Sequence, residues 1–323
     1  MMRSKDEDEA PAPSSQSAGQ DAARRLSAIP FVKMNGLGND FVILDLRDAR
    51  TRRNVPDEYS ALARRIADRQ NGVGCDQLIT IAPPDDPQSE DARMGIWNAD
   101  GGEVEACGNA ARCVAWLLFE ESGREKIRLN TLGGIIEAQK AGPLRVSVDM
   151  GAPKFDWRDI PMAEATDTIA FDLELDRRHR NWLGAASAVN LGNPHCVFFV
   201  ADAPATPVEE LGPLVERNPL FPARVNVSFA EIVTPSEIIL RVWERGAGAT
   251  RACGTAACAT LVAAVRNGLA GRKAAIALPG GPLDIEWRAQ DNHVIMTGAV
   301  EFEGAGEIPA RLLTDAKEAS KRR

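Results

Sequence analysis

The sequence predicts an α/β (α+β) fold of two pseudo-symmetric homologous domains. Each is expected to be a mostly antiparallel sheet wrapped around a central apolar helix, with the candidate site in the cleft between them. Three landmarks recur in the same order along the chain. The first is a Leu-Gly-Asn turn beside an apolar run: Leu37-Gly38-Asn39 before Phe41-Val42-Ile43-Leu44, and Leu191-Gly192-Asn193 before Cys196-Val197-Phe198-Phe199. The second is a Cys-Gly pair opening an alanine-rich segment, at Cys107-Gly108 and Cys253-Gly254. The third is a Gly-Gly pair opening a strand, at Gly133-Gly134 and Gly280-Gly281. Short glycine motifs are common, but three ordered matches with similar spacing after the cysteine point to a repeat.

The elements follow in order. Residues 1–28 are rich in Asp, Glu, Ser, Ala, Pro and Gln and read as a disordered tail. They contain no apolar core of a secretory signal, and Asp6-Glu7-Asp8-Glu9 argues against an organelle transit peptide. The N-terminal half spans 29–151 and is completed by a C-terminal strand at about 296–308. Its helix runs from Ala110 to Glu121, carries Val114, Trp116, Leu117 and Leu118, and stops at Gly123. The halves join near Gly151-Ala152-Pro153. The C-terminal half spans 152–295, and its helix runs from Ala256 to Asn267, with Gly268 behind it. Residues 309–323 read as a polar tail.

Composition narrows the function. With 323 residues the chain is long for one core and comfortable for two. The net charge is −8 and the 38 Lys and Arg are spread out, which speaks against nucleic-acid binding as the main role. No stretch approaches the roughly 20 apolar residues of a membrane span. A cytoplasmic location is therefore expected, and there the six cysteines stay reduced rather than forming a disulfide framework.

Two of those cysteines carry the chemistry. Cys107 and Cys253 each fall at a helix N-terminus, where unpaired N–H groups and the helix dipole stabilise a thiolate. The same amides bind a carboxylate. A free cysteine taken singly is more often a small core residue. Cys113 and Cys258, inside the helices, are assigned to that role, as are Cys75 and Cys196. The mirrored placement of Cys107 and Cys253 sets them apart. Two thiols facing one cleft, one ionised and one protonated, supply a base on one face of an α-carbon and an acid on the other. That pattern suits a cofactor-independent amino-acid epimerase. A pyridoxal enzyme would need a lysine and a phosphate cup, and a zinc site would need clustered Cys and His spacing. Neither is found, so no cofactor and no metal are expected.

The motifs resemble those of the diaminopimelate epimerase family from about Ile29 to Gly304. They are Lys33-Met34-Asn35-Gly36-Leu37-Gly38-Asn39-Asp40-Phe41, Gly72-Val73-Gly74-Cys75-Asp76-Gln77, Trp97-Asn98-Ala99-Asp100-Gly101, Ala106-Cys107-Gly108-Asn109, Gly192-Asn193-Pro194-His195, Arg224-Val225-Asn226, Glu244-Arg245-Gly246-Ala247-Gly248 and Ala252-Cys253-Gly254-Thr255. The resemblance implies interconversion of LL- and meso-2,6-diaminopimelate, on the way to lysine and peptidoglycan, by a homodimer. It implies that Cys253 takes the proton in the LL-to-meso direction and Cys107 returns one. Asn39 and Gln77 then contact substrate. Asn98, Asn193, Asn226 and Arg245 surround its distal amino-acid end, and an arginine fork suits a carboxylate. The amides of Gly108-Asn109 and Gly254-Thr255 hold the reacting end. Glu244 lies beside the substrate, and His195 and Glu244 tune the thiols. Without the resemblance, each Asn reads as a turn former and Glu244-Arg245 as a surface pair.

The chain departs from the family pattern in places. Asn35 stands where histidine is frequent, and Ala110 and Ala256 where glycine is frequent. Phe302 occupies a position often aromatic at the family's dimer contact, with local spacing shortened. Two competing hypotheses are a two-thiol racemase of proline or hydroxyproline, and a non-catalytic redox or binding protein using a Cys107–Cys253 disulfide. A proline-sized substrate has no distal group for Arg245, Asn98, Asn193 and Asn226 to hold.

Overall fold

A computed structural model describes residues 29–56, 58–105, 107–175 and 183–314. The expected disordered tail at 1–28, and the end of the expected polar tail from 315 onward, lie outside the described residues.

The first half contributes β1 (Ile29–Gly36), β2 (Asn39–Asp45), β3 (Gln77–Ala82), β4 (Ala92–Asn98), β5 (Lys126–Thr131), β6 (Gly134–Gly142) and β7 (Arg145–Asp149). The second contributes β8 (Ala186–Asn190), β9 (Pro194–Phe199), β10 (Asn226–Thr234), β11 (Glu237–Glu244), β12 (Gly248–Thr250), β13 (Lys273–Leu278), β14 (Gly281–Trp287) and β15 (Val294–Ala299). A last strand, β16 (Glu301–Ile308), follows. All belong to one continuous sheet in the order β16-β1-β2-β3-β4-β5-β6-β7-β15-β14-β13-β11-β10-β9-β8, with β12 beside β11.

That order is a repeat seen from its centre. β7 and β15 pair antiparallel, from Asp149 opposite Ile295 to Arg145 opposite Ala299. Moving outward, the parallel pairs fall at equivalent places: β4 with β5 and β11 with β13, then β2 with β3 and β9 with β10. The remaining neighbours are antiparallel, as the sequence predicts.

The expected single strand at 296–308 is two strands. Only Val300 separates β15 from β16, yet β15 pairs with β7 and β16 with β1, at opposite edges of the first half. The sheet therefore curls round until its edges meet in one stretch of chain. In the second half, bridges from Lys154 to Asn190 and from Phe171 to Ala186 lay the connector along the free side of β8. Each curl encloses a helix, Gly108–Ser122 in one half and Gly254–Arg266 in the other. Both are apolar almost all round, as fully wrapped helices must be. Val114, Leu118 and Phe119 of the first and Leu261 and Val262 of the second belong to one continuous core.

Each half also carries an outer helix. In the first, β2 shows five consecutive buried residues, the mark of a strand covered on both faces. Phe41 and Ile43 face the wrapped helix, whereas Val42 and Leu44 pack with Leu62, Ala63 and Ile66 of the outer helix Tyr59–Ala67. In the second, Val197 faces inward, while Cys196 and Phe198 pack with Val208, Leu211 and Val215 of the outer helix Val208–Glu216. Each outer helix lies in a crossover between parallel strands, which demands a long connection.

The start of the expected polar tail also joins this layer. Leu312 and Leu313 are buried with Leu44, Leu62 and Ile66. Leu313→Ala should cost about 2–5 kcal/mol, the range for emptying a core leucine site. Phe302→Ala, at a half-exposed position, should cost under about 1 kcal/mol. Urea unfolding of the two variants checks this, and equal losses would contradict it.

A candidate active site between two cysteine turns

The two cysteine turns are conformational copies. Cys107 (φ −142°, ψ 108°) and Cys253 (φ −136°, ψ 110°) each occupy the residue before the helix. The carbonyl of Cys107 accepts from Ala111 N (2.9 Å), and that of Cys253 from Ala257 N (3.1 Å). Neither helix start has a side-chain cap or an acidic residue in its first turn. The first amides of both helices thus remain available to a ligand. Met296 of β15 lies beneath both turns. A Cβ on Gly108 would sit 2.5 Å from Met296 Cε, and one on Gly254 2.6 Å from Met296 Sδ, so glycine at both positions leaves the end of Met296 its place under the two turns.

Both turns open into one cavity of about 560 Å³. It is lined by Cys107, Gly108, Asn109, Cys253, Gly254 and Thr255, and by Asn39, Gln77, Asn98, Asn193, Asn226, Glu244 and Arg245. Of the residues the sequence singles out for this site, His195 alone does not reach the wall. Asp76, Thr250 and Arg251 line it as well and were not singled out. Asp76 stands one residue before Gln77, and Arg251 two before Cys253.

The repeat explains the gathering. Asn39 opens β2, Gln77 opens β3 and Asn98 closes β4. Asn193 directly precedes β9, Asn226 opens β10 and Glu244 closes β11. These are equivalent strands in the two halves, so three residues from each arrive on the cavity from the same strand ends. Trp97 bridges to Glu103 as Trp243 pairs with Ala249, and each Trp precedes its cysteine by ten residues. That spacing, visible in the sequence, makes Glu244 the counterpart of Asn98.

Some side chains are already engaged. Asn39 Nδ2 donates to Asp76 Oδ2 (2.8 Å), and Gln77 Nε2 to Asn98 Oδ1 (2.9 Å). Asn226 holds its neighbours, donating to the Pro194 carbonyl (3.1 Å) and accepting from Arg245 N (2.9 Å). Arg245 Nη1 donates to the Ala223 carbonyl (3.1 Å), and the rest of the fork is exposed. Gln77 Oε1 and Asn109 Oδ1 are buried without a partner. Unsatisfied buried acceptors in a cavity wall suit a ligand that brings donors.

The thiols sit in a demanding environment. Burial pushes Cys107 up, opposed by the amides of Ala110 and Asn109 and by Arg112. Burial pushes Cys253 well up, and the Glu244 carboxylate pushes it further. Glu244 is itself raised by burial, although Thr250 Oγ1 donates to it. His195 is fully buried, and burial followed by the Arg245 charge lowers it to about 3. It is neutral at ordinary pH and cannot stabilise a thiolate by charge. Its Nε2 hydrogen-bonds Asn193 Oδ1 (2.8 Å), Asn193 Nδ2 donates to Thr255 Oγ1 (3.3 Å), and that hydroxyl lies 3.5 Å from Cys253 Sγ. His195 therefore reaches Cys253 through a chain of side chains.

The other four cysteines are buried in the core, and burial raises Cys75, Cys113 and Cys258 to about 12. Among the described residues, no three His, Cys, Asp or Glu side chains converge on a metal-sized point, and no helix is long and apolar enough to cross a membrane.

Comparison with known proteins identifies the relatives of this arrangement. Residues 31–155 and 187–303 match the family described as diaminopimelate epimerase. A diaminopimelate epimerase of Phenylobacterium zucineum is 51% identical over 280 residues, covering 87% of this chain and 98% of its own. One of Erythrobacter litoralis is 52% identical over 281 residues, covering 85% and 96%. A crystal structure of a phenazine biosynthesis protein of the PhzF family from Enterococcus faecalis superposes with a TM-score of 0.63 at 15% identity, covering 87% and 98%. At that identity the likeness is one of fold.

Glu244→Gln should lower the ionisation midpoint of Cys253, because it removes the carboxylate that raises it. Cys253 alkylation followed against pH, with peptide mapping, checks this. The rate profile should move to lower pH, and an unmoved or upward-shifted profile would contradict the assignment.

Proposed function

The chain belongs to the diaminopimelate epimerase family, and from that premise we propose that it interconverts LL- and meso-2,6-diaminopimelate by removing the α-proton from one face of the carbon and delivering a different proton to the opposite face. The observation that carries the mechanism is the pair of thiols at matching uncapped helix starts on one cavity. In the LL-to-meso direction, the Cys253 thiolate takes the α-proton and the Cys107 thiol delivers its own to the opposite face. The reverse reaction exchanges these roles.

The α-proton is far less acidic than a thiol, so the carbanion must be stabilised where it forms. The amides of Gly108-Asn109 and Gly254-Thr255 converge there to hold the α-carboxylate and the charge that develops on it. Asn39 and Gln77 contact the substrate, and Gln77 Oε1 offers an acceptor to an ammonium group. Asn98, Asn193 and Arg245 grip the distal amino-acid group, with Asn226 holding the Arg245 turn in place. Glu244 raises Cys253 and so makes its thiolate the stronger base for the α-proton. His195 orients Asn193. The exposed Arg245 fork favours this substrate over proline, which has no distal carboxylate.

The reaction needs no cofactor or metal and feeds lysine and peptidoglycan synthesis. We assign the enzyme to the cytoplasm and to a homodimer whose contact includes the exposed Phe302. Residues 29–151 with 296–308, and residues 152–295, are the two domains whose approach would exclude water from the reacting carbon.

Cys107→Ala and Cys253→Ala should each lower epimerisation of diaminopimelate by at least about 10²-fold, the low end for losing a general acid or base. Near-normal turnover by either would refute the two-base assignment. A wild-type enzyme that epimerises proline and leaves LL-diaminopimelate unchanged would refute the substrate. Arg245→Lys should raise KM at least about tenfold, because lysine cannot make two parallel hydrogen bonds to a carboxylate. An unchanged KM would place the distal group elsewhere.

A further inference from the structure

The two halves match at the cysteines but not one turn further on. Counting from the cysteine, Arg112 in the first helix falls where Cys258 stands in the second. Arg112 is completely buried. Its Nη1 points at Met296 Sδ (3.6 Å), the side chain that underlies both cysteine turns. Its Nε and Nη2 have no hydrogen-bond partner. Backbone makes room for it on two sides. A Cβ on Gly298 of β15 would lie 3.0 Å from Arg112 Cζ, and one on Gly36 of β1 3.5 Å from Nη2. A buried arginine without a carboxylate is costly and unusual. Burial lowers it from its ordinary value, yet a guanidinium stays protonated in a protein.

The ionisable groups whose charge bears on this cation are thiols. They are Cys107 and Cys113 on its own helix and Cys258 on the other. Cys113, which also feels Glu303, and Cys258 are pushed to about 12 by burial and stay neutral. Burial raises Cys107 too, but it sits at the helix start, where the amides of Ala110 and Asn109 oppose that burial, and it is the thiol left to carry a compensating charge. The second break in symmetry acts in the same sense. Glu244, the counterpart of Asn98, bears strongly on Cys253 and only weakly on Cys107.

We propose that Arg112 is a positioning residue: a fixed buried cation that holds the resting negative charge of the thiol pair on Cys107 and leaves the proton on Cys253. The inference rests on the two-thiol reading, in which one member of the pair is ionised and the other protonated. A symmetric pair would share the charge equally. Arg112 on one side and Glu244 on the other tilt it, without either touching the substrate carbon through a new bond. The thiolate in turn gives the buried guanidinium the counter-charge that no carboxylate supplies.

The test is the pH dependence of iodoacetamide alkylation at each cysteine in the full-length protein, resolved by peptide mass mapping. The midpoint for Cys107 should lie below that for Cys253. In Arg112→Met it should rise by about one unit or more, slowing Cys107 alkylation near neutral pH about tenfold, with no matching rise at Cys253. Arg112→Lys should restore most of the shift, because it keeps the charge. A wild-type Cys253 midpoint below that of Cys107 would overturn the proposal, as would a methionine variant with an unmoved Cys107. Should the methionine variant not fold, the wild-type order and a lysine variant with wild-type midpoints still decide. These readouts use no substrate. If the enzyme fails to turn over diaminopimelate while the midpoints behave as stated, the substrate reading fails and the Arg112 assignment stands.

Discussion

Everything in this fold serves one constraint: two helix N-termini must stay uncapped and face the same small volume. An ordinary helix covers its first amides with Ser, Thr, Asp or Asn. Here the cap position is cysteine in both halves, and neither thiol closes the helix start. Leaving those amides open inside a protein is costly unless something else satisfies them. The molecule solves this by turning them into the walls of a cavity. Each half of the sheet curls around its helix, so the helix can only start where the curl opens. The two curls share β7 and β15, so their open ends meet.

The same construction explains why the cavity is rich in side-chain amides. Asn39, Gln77 and Asn98 come off the ends of three strands, and Asn193, Asn226 and Glu244 off the equivalent three. A duplicated scaffold delivers duplicated positions, and chemistry then requires that some differ. A racemising pair needs near-symmetry to serve both faces of a carbon. It also needs the proton to rest on one thiol at a time. Glu244 opposite Asn98, and Arg112 opposite Cys258, are two of the places where the halves diverge in charge.

Much of this is legible in the sequence, because turns and helix starts carry local signals. Leu-Gly-Asn, Cys-Gly and Gly-Gly mark chain positions whose backbone demands those residues, and the two wrapped helices are apolar all round. The outer helices are harder to see. Tyr59–Ala67 mixes Arg64 and Arg65 with a single apolar face, and Val208–Glu216 contains Pro213, which reads as a breaker. Leu312 and Leu313 follow an exposed strand and look like a tail until the sheet's curl brings them onto Leu62 and Ile66. His195 stands two residues from the wall residue Asn193 in sequence, yet it is fully buried and meets the cavity only through that side chain. Arg112 is the least legible of all. A charged residue in a helix normally signals the solvent face, and only enclosure on every side by sheet and second helix makes it a buried cation.

The account stands or falls on two thiols acting from opposite faces of one carbon. The most direct measurement is isotope content in deuterium oxide at early turnover, starting from LL-diaminopimelate and separating the isomers before mass analysis. Only the acid thiol of the pair carries a proton, and that proton exchanges with solvent. The acid thiol should therefore deliver solvent deuterium to the meso product, while LL substrate recovered at the same time stays unlabelled. Product that retains the original α-proton, or label appearing equally in both isomers, would contradict a two-thiol mechanism.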